Sequence, residues 1–289
     1  MASIPTKGAI GRSKKMTLFS IDEKKCKRDG ICAAVCPLGI IEMENENAVP
    51  VPAPDADELC IKCGHCVAVC PTAAFSHSEM MPDECPPIRR DWLQDPEKTE
   101  HFLRSRRSIR TYKAQAVARD LLSKLIHVAR FAPSAVNIQP VQWLVIYDSD
   151  EVKRLSGIVI DWMRYMLKEN PQIAHSLNMG LTVTAWENGL ERICRGAPHV
   201  VVTHAPKKEQ SAPSACTLAL SYLELAAPSL GLGACWAGFF YAASNLWPPM
   251  QQALALPEGH ASFGAMMVGY PEYAYHRLPL RSEPLITWR

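Results

Sequence analysis

A cysteine cassette that occurs twice constrains this chain more than any other feature. Each copy places three cysteines at the same spacing and a proline after the last of them: Cys26, Cys32 and Cys36-Pro37, then, 34 residues later, Cys60, Cys66 and Cys70-Pro71. The octapeptide GICAAVCP of the first copy becomes GHCVAVCP in the second. Such close internal repetition indicates that one supersecondary unit has been duplicated.

The spacing is typical of cysteines that hold iron–sulfur clusters. The second copy is the full run C-x2-C-x2-C-x3-C-P, which in bacterial two-cluster ferredoxins places its fourth cysteine on the other cluster. The predicted ligands are therefore crossed between the copies: Cys26, position 29, Cys32 and Cys70 for cluster I, and Cys60, Cys63, Cys66 and Cys36 for cluster II. Zinc is the alternative, but a tetrahedral zinc site is built from C-x2-C pairs and has no use for crossed triplets.

Position 29, which matches Cys63 in the second copy, is an aspartate. A carboxylate is a harder donor than a thiolate and is displaced from iron more easily. Cluster I is predicted to be a complete 4Fe–4S cube with Asp29 as one ligand, and a 3Fe–4S cluster without that iron is the alternative. Asp29 also suits the turn before Gly30 without any contact to iron, and the sequence leaves that interpretation open.

Length and composition divide the chain into four parts. The 289 residues suffice for one small and one larger domain, and the proline-rich, charged stretch 81–100 has linker composition. The predicted parts are an N-terminal extension 1–19, a two-cluster domain 20–80, a linker 81–100 and a larger domain 101–289.

Charge is distributed unevenly along the chain. Residues 20–85 contain 12 acidic and 5 basic residues, a net charge of −7, so the remainder carries +9 against an overall +2. The small overall charge gives no case for a nucleic-acid partner.

Two further features predict a cytoplasmic protein without a membrane partner. We expect no signal peptide at the basic N-terminus, and the apolar stretch 218–243 is interrupted by Glu224, Pro228 and three glycines, so it should not span a bilayer. The cysteines outside the cassettes are expected to be buried thiols and not disulfides: Cys85, Cys194, Cys216 and Cys235.

In the larger domain, predicted helices and strands alternate without the order of successive βαβ units, which favours an α+β fold. Asp95-Pro96 is typical of a helix N-cap followed by proline in the first turn. Apolar periodicity predicts helices over 116–132, 150–167 and 214–230, and apolar runs predict strands over 143–147, 200–203 and 261–269, with 283–288 as a candidate edge strand.

Three segments of this domain carry candidate binding groups. In an extended segment, Arg106, Ser108 and Arg110 would share one face and suit a phosphate, because arginine binds phosphate oxygens in a bidentate fork. The alternative is a basic helix C-terminus that complements the helix dipole.

The second segment is the loop APSAVNIQP at 132–140. Its amides, Asn137 and Gln139, both donate and accept hydrogen bonds, which suits the edge of a flavin's pyrimidine ring; a simple turn segment is the alternative. The third is the loop GLGACWAG at 231–238, whose glycines would let the backbone approach a flat ligand. It does not match the dinucleotide-binding fingerprint, and Cys235 is predicted to be buried packing and not a nucleophile.

In series, these segments resemble the nitroreductase family of flavoenzymes over residues 100–289, joined here to a two-cluster ferredoxin. The matching pieces are RRSIRTY at 106–112, APSAVNIQP at 132–140, RGAPHVVV at 195–202, GLGACW at 231–236, VGYP at 268–271 and HRLPLR at 276–281. The resemblance implies a mixed sheet flanked by helices, in an interlocked homodimer with FMN at its interface.

The resemblance also implies residue roles. The residues implied at the FMN phosphate are Arg106, Arg107, Ser108 and Arg110, closed by Arg277 or Arg281. The residues implied along the ring, contributed by the opposite protomer, are Pro133, Ser134, Ala135, Asn137 and Gln139. The residues implied at flavin N5 are Ala234, Cys235, Trp236, Ala237 and Gly238. Substrate-side residues between 150 and 192 are not assigned.

The implied function is an oxidoreductase that passes electrons between the clusters and FMN and reduces a small organic acceptor. Candidate acceptors are a nitro compound, a quinone or an activated alkene. We expect a low-potential donor such as ferredoxin to feed the clusters, with NAD(P)H at the flavin as the alternative donor. Other classes remain open: an electron-relay protein without its own organic substrate, or a reductive dehalogenase or flavin-cleaving enzyme on the same fold.

Overall fold

The structure is a computed structural model that describes residues 17–289. The chain divides into two compact units, one ending at Leu93 and the other spanning Gln94–Arg289. The division falls within the stretch 81–100 that composition predicts as a linker. The basic N-terminal residues considered for a signal peptide, and most of the predicted extension 1–19, lie outside the described residues.

The first unit consists of two-stranded sheets and one-turn helices around a small apolar core. Its strands are β1 (Phe19–Ile21), β2 (Ile41–Glu42), β3 (Val51–Pro52) and β4 (Phe75–His77). Its helices are α1 (Ile31–Ala34), α2 (Ala56–Leu59) and α3 (His65–Val69). Strand β1 pairs with β4 and β2 with β3, both antiparallel. Phe19 and Phe75 pack in the core with ring centroids 4.6 Å apart.

The sequence repeat is also a repeat of backbone conformation. Three pairs of residues, each 34 positions apart, occupy the left-handed region with nearly the same φ: Arg28 and Lys62 (56° and 53°), Gly30 and Gly64 (71° and 72°), Gly39 and Ala73 (62° and 52°). The first two pairs flank positions 29 and 63. The backbone therefore turns in the same way at Asp29 as it does at Cys63.

The second unit is a four-stranded sheet covered by helices on both faces. Its strands are β5 (Gln142–Ile146), β6 (His199–Pro206), β7 (Gly233–Trp236) and β8 (His260–Gly269). Its helices are α4 (Pro96–Ser105), α5 (Arg119–Ala129), α6 (Ser149–Glu169), α7 (Pro171–Ser176), α8 (Met179–Glu187), α9 (Ala212–Ala226), α10 (Gly238–Leu246) and α11 (Pro248–Leu254). The strand order is β5-β6-β8-β7, and all three pairings are antiparallel.

Strand β6 shows why the sheet lies between two helical layers. Val200 and Val202 belong to the core cluster that includes residues of α6, α8 and α10, whereas Val201 belongs to the cluster with α5 and α9. Successive side chains of a strand point to opposite faces, so a strand with both faces buried is apolar without interruption. This accounts for the continuous apolar run in 200–202.

The α+β class and most predicted elements are confirmed. The helix predicted from Asp95-Pro96 begins at Pro96, and Asp95 accepts a hydrogen bond from the Lys98 amide at 2.8 Å. The strand predicted over 261–269 is β8, and the helix predicted over 150–167 lies within α6.

Three expectations need correction. The segment 231–238, expected to be a loop, contains strand β7, which pairs with β8 from Gly233 opposite Gly269. The candidate edge strand 283–288 carries no strand, and its Leu285 and Trp288 are exposed. Every pairing among the described strands is antiparallel, so residues 17–289 contain no parallel pair that would make the sheet mixed.

Among the described residues, no helix combines the length and the apolar character needed to cross a membrane.

Candidate functional site: two cysteine cavities and an arginine-lined segment

The four side chains predicted for cluster II lie around one cavity of about 440 Å³, a volume that includes the solvent-filled space at its opening. They are Cys36 from the first copy and Cys60, Cys63 and Cys66 from the second. The remaining wall is largely apolar, with Phe19 and Ile41 among its residues, and it includes two histidines, His65 and His77. The fourth cysteine of one copy thus faces three cysteines of the other.

The four side chains predicted for cluster I line a second cavity, of about 350 Å³. They are Cys26, Asp29 and Cys32 from the first copy and Cys70 from the second. Asp29 Oδ1 also accepts a long hydrogen bond of 3.4 Å from the Ile31 amide. Asp29 is therefore both a turn residue and a wall residue of the cavity, so its use in the turn does not remove it from the site.

Hydrogen bonds to sulfur accompany these cysteines. The Lys62 amide lies 3.4 Å from Cys60 Sγ, and the Ala74 amide lies 3.2 Å from Cys70 Sγ. Burial raises the pKa of the Cys70 thiol, but hydrogen bonds from Ala74 and Thr72 outweigh it and the net pKa is lowered. Burial raises the pKa of the Cys66 thiol to about 11, and a bound iron would deprotonate such a thiol outright.

The two cysteine sets fit polynuclear clusters. Within residues 17–289, no three potential ligands converge on a single ion-sized point; instead, each set of four surrounds a cavity. Four separated ligands around a cavity, all thiolates in one set and three thiolates with the Asp29 carboxylate in the other, match a cube in which each iron takes one protein ligand.

In the second unit, the segment 106–110 lies beside strand β7. The Ile109 amide donates to the Ala234 carbonyl at 3.0 Å, and a Cβ on Gly233 would lie 2.5 Å from the Ile109 side chain, so this position requires glycine. Helix α4 ends at Ser105, and residues 106–110 carry no helix or strand. The first and third predicted segments are therefore adjacent.

Arg106 is held by a buried carboxylate that the sequence analysis did not assign. Arg106 Nη1 lies 2.9 Å from Glu224 Oε1 on α9 and 3.4 Å from Ser108 Oγ. Glu224 is only 8% exposed. A buried acid on an apolar helix needs a partner of opposite charge. The isolated Glu224 in the apolar sequence of α9 was therefore the signal that could have indicated this pair.

Charges from several elements meet near Cys235. Burial raises the pKa of the Cys235 thiol, while the positive charges of Arg110 and Arg195 and a hydrogen bond with Ser108 act against this rise. Arg195 is a further residue that the sequence analysis did not assign to the site. Arg107 differs from its neighbours: its guanidinium donates to the Arg104 carbonyl at the end of α4.

The backbone donors at the predicted N5 segment are not equivalent. The Ala237 amide donates to Ala265 at 2.9 Å and Ala237 is buried, whereas Gly238 is exposed and begins α10. The amide of the first residue of a helix has no acceptor within the helix. Of the segment 234–238, Gly238 is thus the residue whose N–H is suited to meet a ligand.

The loop 132–140 lies elsewhere in the unit. Pro133, Ser134 and Gln139 line a cavity of about 410 Å³ with residues of α5, β5 and α9, and this lining includes no residue of 106–110 or 234–238. The loop holds three non-glycine residues at positive φ: Val136 (43°), Asn137 (55°) and Gln139 (48°). Such backbone strain persists only where the surrounding contacts impose it, often at functional sites. Gln139 Nε2 donates to Asn137 Oδ1 at 3.1 Å.

The remaining predicted positions are distributed as follows. Ala135 is exposed and Trp236 half-buried, and Arg277 and Arg281 are exposed on 274–289, which carries no helix or strand. Among the other cysteines, Cys194, Cys216 and Cys235 are buried free thiols, but Cys85 is exposed, contrary to expectation, because it lies in the polar, proline-rich stretch 81–100.

The comparisons with known proteins place the chain among oxidoreductases, with a 4Fe–4S dicluster domain in its first unit. Residues 103–270 match the nitroreductase family, and residues 18–71 match the 4Fe–4S dicluster domain. The chain belongs to the nitroreductase family.

Individual relatives are similar to one or the other part. A protein of Methanothermobacter thermautotrophicus that carries the name NADH dehydrogenase/NAD(P)H nitroreductase is 25% identical over 173 residues, which are 58% of this chain and 75% of that protein. A ferredoxin of Hydrogenibacillus schlegelii described as 7Fe is 40% identical over 57 residues, 20% of this chain and 67% of that protein. A crystal structure of a Bacteroides fragilis nitroreductase with bound FMN covers 66% of this chain and 99% of its own, with a TM-score of 0.55 and 18% identity. This last likeness concerns the fold.

Proposed function

We propose that this chain binds FMN and two iron–sulfur clusters and passes electrons between them to reduce a small organic acceptor, such as a nitro compound, a quinone or an activated alkene. The observation that carries this proposal is the presence, in one chain, of two cavities each lined by four candidate cluster ligands and a nitroreductase unit with an arginine-lined segment. FMN, when bound, supplies two-electron exchange with organic molecules and one-electron exchange with clusters.

The chain's own residues would bind and orient FMN. Arg106, Ser108 and Arg110 would hold its phosphate, since arginine and hydroxyl donors match phosphate oxygens. Glu224 fixes the Arg106 guanidinium through the 2.9 Å ion pair, so this arginine is ordered before the phosphate arrives. The Gly238 amide would meet the ring.

We further propose a homodimer whose second copy supplies the loop 132–140 to the same FMN. In the single chain this loop lines a cavity that includes no residue of the arginine-lined segment. Large apolar side chains are exposed in this loop and next to it, Val136 at 66% and Phe131 at 73%. The C-terminal segment also exposes Leu280, Leu285 and Trp288. Exposed large apolar groups of this kind suit an interaction surface.

The clusters are assigned to the crossed sets, with Cys26, Asp29, Cys32 and Cys70 at cluster I and Cys36, Cys60, Cys63 and Cys66 at cluster II. Asp29 is proposed to hold the fourth iron of cluster I, because the backbone flanking it repeats the conformation that flanks Cys63. An oxygen ligand releases iron more readily than a thiolate. The 7Fe ferredoxin is consistent with a related site that has lost one iron.

The substitution Asp29→Cys tests the role of Asp29. We expect the wild-type protein to lose about one iron atom per chain on mild oxidation, and Asp29→Cys to retain it, because a fourth thiolate binds iron more firmly. Iron and sulfide analysis before and after oxidation measures this, together with the EPR signal of the oxidised three-iron cluster. Equal iron loss from both proteins would show that residue 29 does not ligate iron.

The electron donor can be identified by stopped-flow absorbance. We expect reduced ferredoxin to bleach the FMN of anaerobic holoprotein quickly and NADH or NADPH to do so slowly. A double variant, Cys36→Ala with Cys70→Ala, is the matched control, since it should abolish reduction through the clusters and leave any direct reduction by NAD(P)H.

Rapid bleaching by NADPH in both proteins would instead make the clusters an exit for electrons. Steady-state turnover with a nitroarene and with menadione then separates an enzyme from an electron relay. A relay would be reduced by its donor but would show no turnover with either acceptor.

A further inference from the structure

We infer that His77 donates a hydrogen bond to the sulfur of Cys60 and thereby raises the reduction potential of cluster II relative to cluster I. This inference rests on the proposed assignment of Cys36, Cys60, Cys63 and Cys66 to cluster II. His77 is the last residue of β4, is 2% exposed and lines the cavity of these four cysteines. Its Nε2 lies 3.6 Å from Cys60 Sγ.

The direction of this hydrogen bond follows from the other ring nitrogen. His77 Nδ1 accepts the Glu79 amide proton at 3.1 Å. A nitrogen that accepts carries no proton, so the proton of this imidazole is on Nε2, which faces the sulfur. A thiolate ligand can only accept. The ring itself is held in place, because the His77 backbone pairs with Phe19 and bridges to Met80.

The repeat provides an internal comparison for this contact. Counting 34 residues back from His77 leads to Met43, and the intervening backbone matches, since Gly39 and Ala73 are both left-handed. The Met43 sulfur packs over Gly30, 3.3 Å from where a Cβ would lie, as the Met80 sulfur packs over Gly64, so Met43 corresponds in space to Met80 and not to His77. The lining of the second cavity includes no histidine, so the histidine donor is present at one of the two cavities.

A hydrogen bond to a ligand sulfur stabilises the reduced cluster more than the oxidised one. The reduced cluster carries one additional negative charge, which makes its sulfurs better acceptors. Hydrogen bonds to the sulfurs and solvent exposure are among the factors that set cluster potentials. The buried His77 donor therefore raises the reduction potential of cluster II relative to that of cluster I.

The test is His77→Met, which removes the N–H donor and keeps a side chain of similar size. EPR-monitored potentiometric titration of anaerobic holoprotein should show one of the two cluster couples shifted to lower potential and the other unchanged. His127→Gln is the matched control: His127 is an exposed histidine of α5 in the second unit and lines neither cysteine cavity. This control should leave both couples where they are in the wild type.

Failure of the cluster assignment and failure of the His77 inference give different results. If iron and sulfide counts show no second cluster in the wild type, the cluster assignment fails and the inference with it. If cluster II is present but His77→Met leaves its potential unchanged, or shifts both couples equally, the inference alone fails.

A measurement on the wild-type protein covers the case in which His77→Met does not load cluster II. With nitrogen-15 introduced only in histidine, pulsed EPR of the reduced protein should detect a histidine nitrogen coupled to the cluster, together with a proton lost on exchange into D2O. His127→Gln should retain both couplings. Their absence from the wild type would overturn the inference.

Discussion

Replacing Cys36 with alanine should abolish cluster II and leave cluster I intact, although Cys36 follows the ligands of cluster I in the sequence. The reason is spatial: Cys36 lines the cavity with Cys60, Cys63 and Cys66. Cys70→Ala should have the reverse effect, because Cys70 lines the cavity with Cys26, Asp29 and Cys32. The expected loss is complete for one cluster in each variant, because the affected cube would keep only three of its four protein ligands.

Iron and sulfide counts show how many clusters remain, and EPR shows which one. After mild oxidation, cluster I should become a paramagnetic three-iron cluster, whereas an oxidised four-thiolate cluster II is diamagnetic. Cys36→Ala should keep the oxidised signal and Cys70→Ala should lack it. The buried Cys216, which packs beside Ala205 and Ala212, offers a control: Cys216→Ala should retain both clusters.

An uncrossed assignment predicts the opposite pattern, in which Cys36→Ala removes the oxidised signal. If either alanine variant lost both clusters, the serine variants would decide, because a serine oxygen can still hold iron but changes the spectrum of its own cluster.

Replacing Arg110 with alanine should weaken FMN binding by roughly 10- to 100-fold. A hydrogen bond to a charged group contributes about 1.5–3 kcal/mol, and each 1.4 kcal/mol is a factor of about ten in affinity. Arg110 is exposed, and its charge acts on Cys235 in β7, so it can reach a phosphate at this segment. FMN fluorescence released on dilution of the holoprotein measures the loss.

Arg107→Ala is the matched control for Arg110→Ala. Arg107 is three residues away, but its guanidinium is bound to the Arg104 carbonyl. Removing this arginine should change FMN affinity by less than about fivefold, the range of exposed charge interactions. Riboflavin, which lacks the phosphate, sharpens the comparison: Arg110→Ala should reduce the preference for FMN over riboflavin, and Arg107→Ala should not. Equal weakening of FMN and riboflavin in Arg110→Ala would indicate lost folding, not a lost phosphate contact.

The sequence by itself determined the features that depend only on residues close together in the chain. The 34-residue repeat of the cysteine cassettes determined which three residues of each copy line one cavity, because ligand spacing on a tight turn is a short-range property. The fourth cysteine of each set was assigned across the copies from the spacing of two-cluster ferredoxins. The capping of α4 by Asp95 is local in the same way, since the accepting side chain and its donor, the Lys98 amide, lie three residues apart.

Tertiary structure decided what depends on distant partners. Strand β7 was not recognisable in GLGACW because its strand character comes from pairing with β8, more than 30 residues away. The Arg106–Glu224 pair joins residues 118 positions apart, and no periodicity in either segment points to the other. His77 contacts Cys60 only because the end of β4 lies at the cavity that Cys60 also lines. Short-range spacing thus specifies which residues form a turn or a ligand set, whereas burial, pairing and charge neighbours are set by the folded chain.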